Sequence, residues 1–207
     1  EMLRSLVGSE MCIRDRQLFM SMNYERVSLQ MITRMVGLTK TGIFNYYPTK
    51  LDLFVAVADK YLFNAQDPKR KYEESDGTLA DFIDKYVAGV ERTMAEIVRL
   101  GNVRQEAMPG QSANAGYFHL FQQVLFYYPG GKAKLHAWIE SEYDHWRSVI
   151  RRAIESGEIN RETNVEEAVA QFRLTFVGMS FEMSFYEGLD VNRLAAHFRY
   201  IYNQLKR

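Results

Sequence analysis

An all-helical (all-α) fold in two unequal parts is predicted for this 207-residue chain by three observations. Prolines occur only at 48, 68, 109 and 129. Apolar residues recur at three-to-four spacing, and no long apolar/polar alternation that would make a strand is present. The length allows one sizeable core, or a small unit joined to a larger one. Composition narrows the class further. With 26 Lys+Arg against 26 Asp+Glu, the chain as a whole is neither a basic nucleic-acid binder nor acid-tailed. The sole cysteine, Cys12, excludes an intramolecular disulfide framework and a multi-cysteine zinc site, and it fits a reducing compartment; a cytoplasmic location is expected. No apolar run reaches the ~18 residues that span a bilayer. Charges interrupt EMLRSLVGSEMCIRDR where a signal peptide would have its apolar centre.

A first helix is expected to end at Asn23, a residue that tolerates the left-handed conformation. Ser28 can then accept a hydrogen bond from the first free donors of a second helix, whose buried stripe is Leu29, Ile32 and Val36. Gly37 permits the positive φ of a sharp turn, which Leu38 anchors. Thr39 caps a third helix from Lys40 to Tyr47. Its Ile43 and Tyr47 point inward, while Lys40, Thr41, Gly42, Asn45 and Tyr46 stay outside. Pro48 removes a donor and biases Tyr47 away from helical geometry, so this helix stays about two turns long. Thr49, with Asp52 three residues on, caps the next, Leu51 to Ala65, which breaks at the solvated connector DPKRKYEESDG.

Beyond the connector, Leu79, Phe82, Ile83, Tyr86, Val90, Met94, Ile97 and Val98 outline a helix from Thr78 to near Gly101. GNVRQEAMPGQSANAG reads mostly as loop. Tyr117 to Tyr128 forms an aromatic helix stopped by PGG, and a long helix runs from about Lys132 to Ser156. SGEIN closes it. Asn164 caps a helix with Val165, Val169, Phe172, Phe176, Met179 and Met183 on one face, and Asp190 caps the last, through Leu205.

Two helices joined at a glycine turn make a helix-turn-helix, about 28 to 47, whose second helix can enter the DNA major groove. The outer face mixes a cation, hydroxyls and an amide suited to phosphates and base edges, and Gly42 allows close backbone approach. From Gln17 to Lys50, Arg26, Arg34, Lys40 and Lys50 face only Glu25, so this part is locally basic. A helical corner without DNA would need no such polar face.

SLQMITRMVGLTKTGIFNYYPTKLDLF resembles the DNA-binding segment of the tetracycline-repressor (TetR) family: cap, apolar helix, Gly turn, Ser/Thr-Lys, small residues, aromatics, then a Ser/Thr-Lys cap opening helix four. The match covers about Leu18 to Phe54. The resemblance implies a DNA-binding domain over 17–50 and a helical ligand-binding and dimerisation domain over 51–207. It implies that Lys40, Thr41, Gly42 and Asn45 read the groove, that Tyr46 and Lys50 meet the phosphate backbone, and that Ser28 and Thr39 combine capping with phosphate bonds. At Phe44 the family usually has tyrosine, so no phosphate role carries over there. Family members start with an apolar helix containing two alanines, where this chain has Arg14 and Asp15. SLVGSEMCIRDR also resembles translated sequencing-adaptor DNA, so residues 1–16 are set aside as non-native, with a divergent arm as the alternative.

Phe63, Met94, Met108, Tyr117, Phe118, Phe121, Trp138, Phe176, Met179 and Met183 offer soft and aromatic surface for an apolar or aromatic effector, though core packing explains most of them equally. His136 and Glu140 share a helical face, but two ligands do not make a metal site. No metal or other cofactor is expected, and no nucleophile elbow, triad or phosphate-binding glycine loop suggests an enzyme. The expected function is a bacterial homodimeric repressor, paired through helices near 132–156 and 164–187, that binds a palindromic operator and is released by a small molecule. A helical small-molecule-binding protein or enzyme without DNA binding is the alternative.

Overall fold

The computed structural model describes residues 18–37, 39–64, 77–101, 113–186 and 188–206. Residues 1–16, Leu38, the 65–76 connector and Met108 lie outside them. The described helices are α1 over 18–21, α2 Leu29–Val36, α3 Lys40–Phe44, α4 Lys50–Ala58, α5 Leu79–Gly101, α6 Ala113–Tyr127, α7 Gly131–Glu155, α8 Val165–Met183 and α9 Val191–Leu205.

The expected caps form. Ser28 accepts from Met31 N–H, Thr39 from Gly42 N–H, Asn164 from Glu166 and Glu167 N–H, and Asp190 from Arg193 N–H. Thr49 and Asp52 make a reciprocal capping box, and Gly37 has φ 73°.

Elsewhere the backbone departs from expectation. Asn23 is not left-handed: at φ −59°, ψ 145° it opens a 3-10 turn, Tyr24–Arg26, because its carbonyl is taken by Arg26 N–H at 2.9 Å. α3 ends at Phe44 rather than Tyr47. Tyr46 and Tyr47 N–H both converge on Ile43 O at 2.9 Å, a tightening that ends the helix ahead of Pro48. α4 does not run evenly on but widens into a π-helical turn, Asp59–Phe63, closed by Asn64 N–H to Asp59 O at 2.8 Å.

α6 starts four residues ahead of the expected Tyr117. Gly130, at φ 69°, turns the chain directly into α7. Gly131 then lies against α6 so closely that a Cβ would stand 2.1 Å from Val124 O. Gly131→Ala is therefore expected to cost about 1–3 kcal/mol, as other overpacked sites do. Chemical denaturation measures it.

Two cores form. In the body, Trp146 stacks on Phe172 at 4.7 Å and meets Phe82 edge-on at 4.7 Å, with Tyr86 and Phe198 closing the cluster among α5, α7, α8 and α9. In the head, Phe19, Val27, Ile32, Ile43, Leu53, Phe54, Val57 and Leu62 share one cluster with Leu120 and Val124 of α6 and Leu135 of α7. α4 and α6 thus contribute to the head's core, since a five-residue α3 and an eight-residue α2 bury too little alone. Among the described residues, no helix is long and apolar enough to cross a membrane.

Candidate nucleic-acid interface

α3 is short and almost wholly outward. Its one buried side chain is Ile43, which pins it to the head core, while Lys40 and Thr41, and Asn45 and Tyr46 just beyond its end, are exposed. Gly42 is half-buried, and its N–H is held by Thr39 Oγ1 at 3.1 Å. Thr39's oxygen therefore serves as the helix cap. Ser28 is engaged in the same way by Met31 N–H at 3.2 Å. Lys40 Nζ stands 5.7 Å from the Phe44 ring centre, so Phe44 packs under the cation. Arg26 and Arg34 are exposed on the same head.

Lys50 is placed differently from the other candidates. Its ammonium turns back from the start of α4 and donates to Tyr24 O at 2.9 Å and Val27 O at 3.0 Å, 4.2 Å from the centre of the Tyr24 ring. Burial lowers its pKa, and the Glu25 carboxylate partly offsets that. It clamps the turn ahead of α2.

The Tyr24 ring also carries the head's link to the body. Its ring stacks on Tyr127 of α6 at 4.7 Å, the Tyr127 hydroxyl donates to Glu25, and the buried Gln123 amide donates to Phe19 O at 2.6 Å. Sequence reasoning misses Tyr24. Its only signal there is an aromatic just past a helix end. A second link joins the π-helical turn to the body: Lys134 of α7 and the Tyr128 hydroxyl both donate to Asp59, and Lys134 lies 4.6 Å from the Phe63 ring centre. Burial disfavours the Lys134 charge, but bonds to Asp59 and Tyr128 outweigh it and raise its pKa.

The expected effector residues separate into two groups. Phe63, Tyr117 and Phe121 pack on the head cluster, and Trp138 meets Phe121 at 5.4 Å. Met94, Phe176, Met179 and Met183 pack on the body cluster, and Phe118 meets Phe181 edge-on at 5.7 Å. Among the described residues, the two groups pack on different cores. A surface hollow of ≈ 650 Å³ lies at the α6–α7 corner, lined by Leu125, Tyr128, Gly130, Gly131, Lys132, Ala133, His136 and Ala137. Composition alone could not separate these sets, because aromatic core and aromatic pocket read alike.

No protein-family model matches the sequence, and neither does any curated protein. Solved structures do match over nearly the whole chain. A TetR-family transcriptional regulator, PfmR, from Thermus thermophilus superposes with TM-score 0.69 at 16% identity, covering 95% of this chain and 99% of that one. A transcriptional regulator from Saccharomonospora viridis in complex with choline gives 0.63 at 15%, covering 96% of each chain. The TetR-family regulator CifR, as a cysteine mutant with 26-base-pair double-stranded operator DNA, gives 0.58 at 16%, covering 95% of each chain. The fold is therefore that of TetR-family transcriptional regulators.

Proposed function

We propose that the protein is a ligand-responsive, DNA-binding transcriptional regulator acting as a homodimer on a palindromic operator. The observation that carries this reading is α3 itself, a capped helix with one buried side chain and Lys40, Thr41, Asn45 and Tyr46 turned to solvent. Groups of this kind bond to phosphates and base edges, and a helix of this size fits the major groove. The operator complex of CifR, a neighbour in fold, supports the same use of the head. The choline complex of another neighbour in fold supports a response to a small molecule.

The dimer face is read from α8. Leu174, Val177, Phe181 and Phe185 stand exposed at 62%, 43%, 49% and 71% along one side of it and its C-terminal turn. Gly178, between them, has nothing within 4 Å of where a Cβ would stand, so another helix could approach closely. α7 turns Glu140, Asp144, Ser148, Arg151 and Arg152 outward. Of the two helices expected to pair, 132–156 and 164–187, the second thus has the apolar exterior that an isologous interface needs.

Selection of bound duplexes from a randomised pool, followed by affinity measurement across salt concentrations, tests the function. A palindromic consensus should emerge, with log affinity falling by about 0.9 per log salt for each phosphate neutralised. Absence of any enriched sequence, with no salt-dependent binding, would overturn the reading in favour of a fold kept for small-molecule binding alone. Asn45→Ala is expected to relax preference at one base position by about 1–3 kcal/mol while binding to random DNA stays unchanged. The same selection, repeated on the variant, reads that out.

A further inference from the structure

The sequence of α6, ANAGYFHLFQQVLFY, holds no Asp, Glu, Lys or Arg. One side of the helix is turned inward: Leu120, Gln123 and Val124 are buried, the two apolar ones in the head core. The opposite side carries Phe118, Gln122, Leu125 and Phe126, of which Leu125 and Phe126 stand 51% and 79% exposed. A helix that met only water on that side would place charged residues there. Beside Leu125 opens the ≈ 650 Å³ hollow at the α6–α7 corner, so the uncovered surface continues past the helix.

This face runs into the one assigned to pairing. Phe118 meets Phe181 of α8 edge-on at 5.7 Å, and Phe181 meets Phe185 in the same way at 5.1 Å. Leu125 follows Phe118 by almost two full turns, so it keeps to the same side of α6 about 10 Å farther along. Rings therefore join the exteriors of the two helices. Area points the same way. At roughly 150–200 Å² for a whole side chain, the exposed parts of Leu174, Val177, Phe181 and Phe185 come to about 400 Å², half of the ~800 Å² that each partner gives to a stable interface. On the same footing Leu125 and Phe126 add about 250 Å², and the lining of the hollow extends it.

We propose that the outward face of α6 and the α6–α7 hollow form the outer part of the homodimer interface, covered by a second copy of this chain. The proposal rests on the homodimer reading above and extends it from α8 to a second helix. Interface cores are rich in aromatics and poor in charge, as this face is. The seat also adjoins the head's second link to the body. Tyr128 lines the hollow, and its hydroxyl donates to Asp59 of the π-helical turn. A partner resting there touches the residue that holds the end of α4, so pairing bears on the attitude of each head.

Sedimentation of the full chain across concentration tests it, with Leu125→Glu/Phe126→Glu set beside Leu174→Glu/Phe181→Glu. All four side chains are exposed, so far-UV spectra should match that of the unaltered chain. The α6 pair should weaken the dimer at least ~tenfold. Leu125→Cys gives a second reading that introduces no charge. Its alkylation by iodoacetamide, followed on its own peptide by mass spectrometry, should slow as the chain is concentrated through its dimer range. An unchanged dimer constant in the α6 pair, or alkylation that ignores concentration, overturns the proposal. The α8 pair separates the readings. If it is monomeric while the α6 pair dimerises as before, this proposal alone falls. If only the α6 pair is monomeric, the α6 face stands and the α8 face falls. An unaltered chain that stays monomeric to ~100 μM removes both.

Discussion

Leu174→Glu combined with Phe181→Glu is expected to leave a folded monomer that has lost most of its hold on a palindromic duplex. Both side chains point outward, at 62% and 49% exposure, so the changes leave the body core of Trp146, Phe172 and Phe198 intact. Surface substitutions of this kind usually move stability by no more than about 0.5 kcal/mol. Association is another matter. In an isologous interface each new carboxylate meets the same patch of the partner, so like charges are set against one another and desolvated where apolar groups had been. Each monomer then carries one recognition helix to one half-site. Loss of the second, intramolecular contact lowers duplex affinity by about 10²–10⁴-fold. Sedimentation should report a halved mass, with the far-UV spectrum and melting profile retained. A variant that stays dimeric and binds its duplex as before would place the interface away from α8 and refute this face.

What could be read from sequence, and what could not, divides along the range of the interactions involved. Ser28, Thr39, Thr49, Asn164 and Asp190 each cap a helix within three residues of themselves, so their chemistry is complete in a short string. Gly37 is a local case too, because its positive φ follows from the turn alone. The positions on which the sequence is silent are those settled by distant partners. Gly131 reads as ordinary helix punctuation, yet its place is dictated by Val124 O of the preceding helix. Glu158 sits in a closing turn, SGEIN, yet its carboxylate accepts from Leu79 and Ala80 N–H, capping α5 from far along the chain. Glu142 and Arg173 are spaced like any charged residues on amphipathic helices, and only the packing of α7 against α8 turns them inward. The outward face of α3 is legible because Ile43 alone has to be buried. The effector residues are not, since Phe121 and Phe176 have the same composition signal and different cores.

Lys50 shows the same division at the site itself, and its replacement gives a result that separates two roles. As a backbone-contacting cation, Lys50→Met would weaken all DNA binding alike and reduce the log–log salt slope by about 0.9. The geometry predicts otherwise. The ammonium is spent on Tyr24 O and Val27 O, and it rests over the ring that stacks on Tyr127. Hydrogen bonds from a charged donor contribute about 1.5–3 kcal/mol each, so losing both should cost the fold about 3 kcal/mol or more. The turn ahead of α2 would loosen, and with it the seat of Tyr24, which meets both Lys50 and Tyr127. DNA affinity should fall as α2 and α3 lose their fixed attitude, while the salt slope stays that of the unaltered protein, since no phosphate contact has been removed. Urea unfolding and salt titrations on Lys50→Met distinguish the outcomes: unchanged stability with a shallower slope would assign Lys50 to the phosphate backbone, and lost stability with the original slope assigns it to the clamp on the turn ahead of α2.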